Sequence, residues 1–135
     1  MNNDNEQNLY NRKFKSAIKI NDIKKIKRAL MEGADVHYDN DVAIRIAAEE
    51  ANLEIIKLLI DWGADVHADR EFSLYSACRQ GHLDIVKLLI EHNADVHIND
   101  DLPLRMAKGH GHTEIVKFLE SIILKEVRQK ELAKV

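Results

Sequence analysis

Apolar residues fall along this chain in two kinds of short segment that alternate, both at helical spacing. Ile44, Ala47 and Ala48 share one face of a first segment, and Leu53, Ile56, Leu59 and Ile60 share one face of the next, with Lys57 turned outward. The polar stop between them, Glu50-Ala51-Asn52, returns as Gln80-Gly81-His82 and His110-Gly111-His112, and is too short for anything but an antiparallel helix pair. The second helix of each pair is followed by Gly33, Gly63 or Asn93, the residue types that most readily take the left-handed conformation closing a helix.

The pattern has a fixed period. Gly33-Ala34-Asp35-Val36-His37 returns as Gly63-Ala64-Asp65-Val66-His67 and as Asn93-Ala94-Asp95-Val96-His97, each copy 30 residues after the last. Ala47, Ala77 and Ala107 keep that register, as do LEIIKLLI from Leu53, LDIVKLLI from Leu83 and TEIVKFLE from Thr113. Carried backwards without a gap, it sets Ala17 opposite Ala47 and IKKIKRAL from Ile23 opposite LEIIKLLI. Four units are therefore expected, at residues 12–32, 33–62, 63–92 and 93–122, between a polar N-terminal tail at 1–11 and a C-terminal capping helix extension at 123–135. A single helix pair cannot bury its apolar face, so the units must stack.

Composition agrees with an all-α solenoid. Five Gly and one Pro in 135 residues are too few for a sandwich or barrel, and 5% aromatic content leaves the core to aliphatic side chains.

The GADVH segment, the inner helix, the Gly81-His82-Leu83 turn and Ile85-Val86-Lys87-Leu88-Leu89 resemble the ankyrin repeat, over about residues 12–122. The resemblance implies a stack of helix-turn-helix units that binds other proteins through its concave face. Two departures stand out. The family's unit is about 33 residues, and the shortfall lies where it carries a β-hairpin finger, so short loop fingers are expected. The family's TPLH tetrapeptide, whose Thr and His brace adjacent units, reads Val42-Ala43-Ile44-Arg45, Phe72-Ser73-Leu74-Tyr75 and Leu102-Pro103-Leu104-Arg105, so that bracing is expected to be mostly absent. Units of this length resemble the ankyrin proteins of giant DNA viruses of amoebae, which implies a host cytoplasm as the setting.

Charge is unevenly placed. Residues 12–28 carry eight Lys/Arg against Asp22, whereas residues 29–120 carry a net −10. An acidic body argues against specific nucleic-acid binding, since phosphate affinity comes from Lys and Arg. The basic stretch is expected to act chiefly as a polar cap, and its alternative use is to bind an anionic ligand, nucleic acid or acidic lipid. Lone Cys78 aligns with Ala48 and is expected to be a small buried side chain in an intracellular, cytoplasmic protein with no membrane insertion.

No catalytic constellation is present: Asp35, Asp65 and Asp95 repeat identically and mark turns. His37, His67 and His97 lie one unit apart, roughly 10 Å, too far to share an ion. They are expected to steady their loops, with no metal and no cofactor. Positions that fill a core should agree between units, while those facing a partner need not. Agreement fails at the loop tips and the exposed side of the inner helix, which selects Tyr38, Asn40, Asp41, Arg45, Glu49, Arg70, Glu71, Tyr75, Arg79, Asp101 and Arg105 as the concave partner-binding set. Their acidic rim points to a protein partner with a basic patch, bound by a monomer. Trp62 is expected to pack in its loop.

Overall fold

The computed structural model describes residues 3–135, and every regular element among them is an α-helix. Helices α1 (Asn3–Lys19) and α2 (Ile23–Glu32) form the first pair, and α3 (Tyr38–Glu49) and α4 (Leu53–Asp61) the second. The third pair is α5 (Ala68–Gln80) and α6 (Leu83–Glu91), the fourth α7 (Ile98–Gly109) and α8 (Thr113–Ala133). The pairs stack in chain order.

Side-chain size sets the curvature of the stack. The inner helices α1, α3, α5 and α7 meet through Ala17, Ala47, Ala48, Ala77, Cys78 and Ala107, each at most 2% exposed. The outer helices α4, α6 and α8 contact one another less closely, held apart by Ile56, Leu59, Val86, Leu89 and Leu119. Small residues on one side and branched aliphatics on the other bend the array, with the inner helices on the concave side. One apolar cluster runs without a break from Phe14 to Leu119.

The turn inside each pair requires one left-handed residue, filled by Asn21, Ala51, Gly81 and Gly111 at φ of 59°, 57°, 87° and 72°. The residue after it opens the outer helix. Asn52 caps by accepting from the Ile55 N–H at 3.0 Å, and Asp22 from the Lys25 N–H at 3.1 Å. His112 instead reaches back one unit, its Nε2 lying 2.8 Å from the Arg79 carbonyl. Only Gly fits beneath that imidazole, because a Cβ on Gly81 would stand 2.6 Å from the ring.

The N-terminus differs from the expectation. Residues 3–11, expected as a tail, are the first half of α1, while residues 1–2 lie outside the described region. They are tied to the next loop: Gln7 Nε2 donates to the Gly33 carbonyl at 2.9 Å, and Asn11 Oδ1 accepts from the Asp35 N–H at 2.8 Å. At the other end α8 passes Ile123, where the register calls for Gly or Asn, without a break.

Candidate functional site: the concave face

Each inner helix from the second unit onward begins with a single left-handed turn in place of a longer finger. Asp39, Asn40 and Asp41 have φ of 54°, 55° and 53°; Asp69, Arg70 and Glu71 have 52°, 55° and 62°; Asn99, Asp100 and Asp101 have 50°, 56° and 58°. None is Gly, so each turn costs roughly 1–2 kcal/mol per residue unless its surroundings hold it. Two sets of side chains do so.

The first is a histidine–carboxylate pair in each unit. Asp35 Oδ1 accepts from the His37 N–H at 2.9 Å, and His37 Nδ1 meets Asp41 Oδ1 at 3.0 Å. Asp41 Oδ1 also accepts from the Asp65 N–H of the next unit at 2.9 Å. That bond does the work expected to be missing with the family tetrapeptide: it braces adjacent units, and Asn11 makes the same bond one unit earlier. His67 pairs with Glu71, and His97 with Asp101 at 2.6 Å and with Glu126 of α8 at 2.6 Å. The loop role expected of the three histidines is the one they fill, each with its own carboxylate.

Asp41 and Glu71, 6% and 4% exposed, are therefore too deep to meet a partner, contrary to the sequence expectation. Asp101 stays half-exposed. Glu71 is the imperfect member. Its extra methylene carries one carboxylate oxygen past the brace, and Glu71 Oε2 is buried with no hydrogen-bond partner. Glu71→Asp should restore the geometry of Asp41, reach the Asp95 N–H and stabilise the array by about 0.5–1.5 kcal/mol, read as a higher denaturant midpoint. Asp41→Glu should lower it.

Bonding to Glu71 raises the pKa of His67, and bonding to Glu126 and Asp101 raises that of His97. Groups raised on folding add stability that is complete below the unfolded value of about 6.5 and is lost as pH rises through the folded one. Urea unfolding should therefore show stability falling as pH rises above about 6.5, and His67→Gln should flatten that slope.

The second set is Arg45 and Arg105. Arg45 donates from Nε to the Asn40 carbonyl at 3.1 Å and from Nη2 to the Asp39 carbonyl at 3.1 Å. Arg105 repeats this on Asp100 at 3.0 Å and Asn99 at 2.6 Å. Both were expected as partner contacts, and both are committed to clamping the turn of their own unit. Sequence reasoning missed this because the clamp is absent from the third unit, where Tyr75 stands at the same place, 6.3 Å from Phe72 between ring centres.

What stays open on the concave side is Asn40, Glu49, Arg70 and Arg79, exposed, and Tyr38 and Tyr75, half-buried. The rim is partly neutralised, with Asp39 on Lys15 at 2.8 Å and Asp69 within 3.9 Å of Arg45. The Asp39 carboxyl is held below its ordinary pKa by that Lys15 bond. Cys78 lies in the core, where burial pushes its thiol up to about 12 and leaves it protonated at neutral pH. Trp62, expected to pack, is 44% exposed at the end of α4. Among the described residues no helix is long and apolar enough to cross a membrane.

Stacked helix pairs in chain order, with the inner helices in closest contact, define a helical solenoid. A family model described as ankyrin repeats (3 copies) matches residues 14–100, and the chain belongs to the ankyrin-repeat family. A search of curated proteins found no match. Repeats of this family generally mediate protein–protein interaction, and its members are typically non-enzymatic scaffolds.

Proposed function

We propose that this chain is a non-enzymatic, monomeric module that captures an intracellular protein through its concave face, centred on Tyr75 and Arg79. One observation carries the reading. At the position where α3 and α7 spend an arginine on their own backbone, α5 presents an aromatic side chain that clamps nothing, in the middle of the face. Arg79, one turn further along α5, is exposed and forms no ion pair among the described residues. Half-buried Tyr beside free Arg is the composition of an interface anchor. Exposed Asp69, Asp100 and Glu49 on the loops and inner helices of the stack favour a partner with a basic patch. The 30-residue unit, resembling that of giant DNA viruses, favours a host cytoplasm as the setting.

Capture from that cytoplasm, compared between the wild-type chain and Tyr75→Ala/Arg79→Ala, tests this. Loss of the captured protein in the double variant is the expected result. Equal capture by the variant, with loss instead in Glu54→Ala/Lys57→Ala on the outer helix α4, would move the interface to the convex side.

A further inference from the structure

We propose a second docking site: the outward face of the first helix pair forms a groove that takes an acidic amphipathic helix from another protein. The groove has a volume of about 600 Å³ and runs between α1 and α2. Leu9, Ala17, Ile20 and Ala29 give it an apolar floor, with Leu9 42% and Ile20 61% exposed. Arg12, Lys13, Lys25 and Arg28 form its walls, with Glu32 at one end.

The 30-residue register says what this surface is. Thirty positions on, Arg12, Lys13, Ser16, Lys25, Arg28 and Ala29 become Val42, Ala43, Ile46, Ile55, Leu58 and Leu59, all buried or half-buried in the stack. These are the positions by which one helix pair receives another. The first pair keeps the shape of a helix-receiving surface and changes its chemistry. Ala29 stands where the later units have Leu59, Leu89 and Leu119, and that missing leucine leaves the floor hollow.

A cap needs only to be polar. The fourth pair meets that need with a paired charge, Lys108 on Glu120 at 3.3 Å, at the positions of Cys78 and Ile90 in the third. In contrast, none of Arg12, Lys13, Lys25 and Arg28 has an ion-pair partner among the described residues. Four unpaired cations around an apolar trough are complementary to an apolar stripe with acidic flanks. A duplex would meet the cations and leave the trough unused, and a membrane surface cannot enter a groove between two helices.

The test uses the full chain and a labelled synthetic peptide of about four helical turns, with Leu along one face and Glu on its flanks. Fluorescence anisotropy should show saturable binding in about the micromolar range. A scrambled peptide of the same composition should bind at least about tenfold more weakly, because it has charge without the stripe. Ser16→Trp fills the groove from an exposed position, and Arg12→Glu/Arg28→Glu reverses the walls; each should weaken binding about tenfold or more. Tyr75→Ala/Arg79→Ala should bind the peptide like wild type, which separates this site from the concave one. Melting curves establish that the variants fold, and if the charge reversal unfolds the first pair, Ser16→Trp and the scrambled peptide still decide the matter. Equal binding of the scrambled peptide, wild-type binding by Ser16→Trp, or tighter binding of duplex DNA or phosphatidylserine vesicles than of the patterned peptide would overturn the proposal.

Discussion

Leu59→Ala and Leu89→Ala are each expected to lower the free energy of unfolding by about 2–5 kcal/mol, out of a total on the order of 5–15 kcal/mol. Both side chains are 0% exposed, at equivalent places on α4 and α6, between the inner helices of their own unit and the neighbouring outer helices. Deleting either leaves a cavity within one continuous cluster of buried aliphatic side chains, which the close-packed stack closes poorly. The loss spreads, because each pair in a solenoid is held by its neighbours alone. Urea unfolding followed by circular dichroism measures it. Leu124→Ala, at a side chain 50% exposed on α8, should stay within about 0.5 kcal/mol of wild type. If Leu59→Ala melted with the wild type, the assignment of the core would be wrong.

The residues behind this expectation are legible in the sequence alone. Ala47, Ala77 and Ala107 recur at one register and Leu59, Leu89 and Leu119 at another, and all six are buried. Repetition exposes a core because every unit must solve the same packing problem. The candidate site was less legible for a related reason. Variation between units points to partner-facing positions, and Arg45/Tyr75/Arg105 varies, yet two of its three members hold backbone carbonyls. A side chain that clamps a turn can be dispensed with in one unit out of three, so variation there does not separate bracing from recognition.

Asp41 and Glu71 carry a signal in their spacing. An acid stands four residues after His37, His67 and His97, and Asn11 occupies the same register in the first unit. Read as a pair, His and acid at that spacing point to a side-chain contact across one turn. The left-handed backbone that brings them together is invisible in residue types such as Arg70 and Glu71, which favour no such conformation on their own. Residues 3–11 were misread because their apolar positions are too sparse to show a helical face, while what holds them is polar, Gln7 and Asn11 on the loop of the next unit.

These distinctions decide which substitutions test the function. Tyr75→Ala/Arg79→Ala should leave the fold intact, since neither side chain donates to backbone, Arg79 is exposed, and half-buried Tyr75 packs at the surface of its unit, so that the pair should cost no more than about 1–2 kcal/mol. Partner capture should fall by roughly three orders of magnitude if both residues are anchors, as truncating Tyr or Arg at an interface centre costs about 2 kcal/mol or more apiece. Arg45→Ala/Arg105→Ala is the contrasting pair. Removing those guanidinium groups strips the Asp39, Asn40, Asn99 and Asp100 carbonyls of their donors, four bonds worth about 1 kcal/mol each, so the melting temperature should drop while binding at low temperature changes much less. Calorimetric titration with the captured partner, run beside thermal melts of both double variants, separates recognition from bracing. A result in which Arg45→Ala/Arg105→Ala keeps its melting temperature and loses the partner, while Tyr75→Ala/Arg79→Ala keeps both, would transfer the recognition role to the arginines.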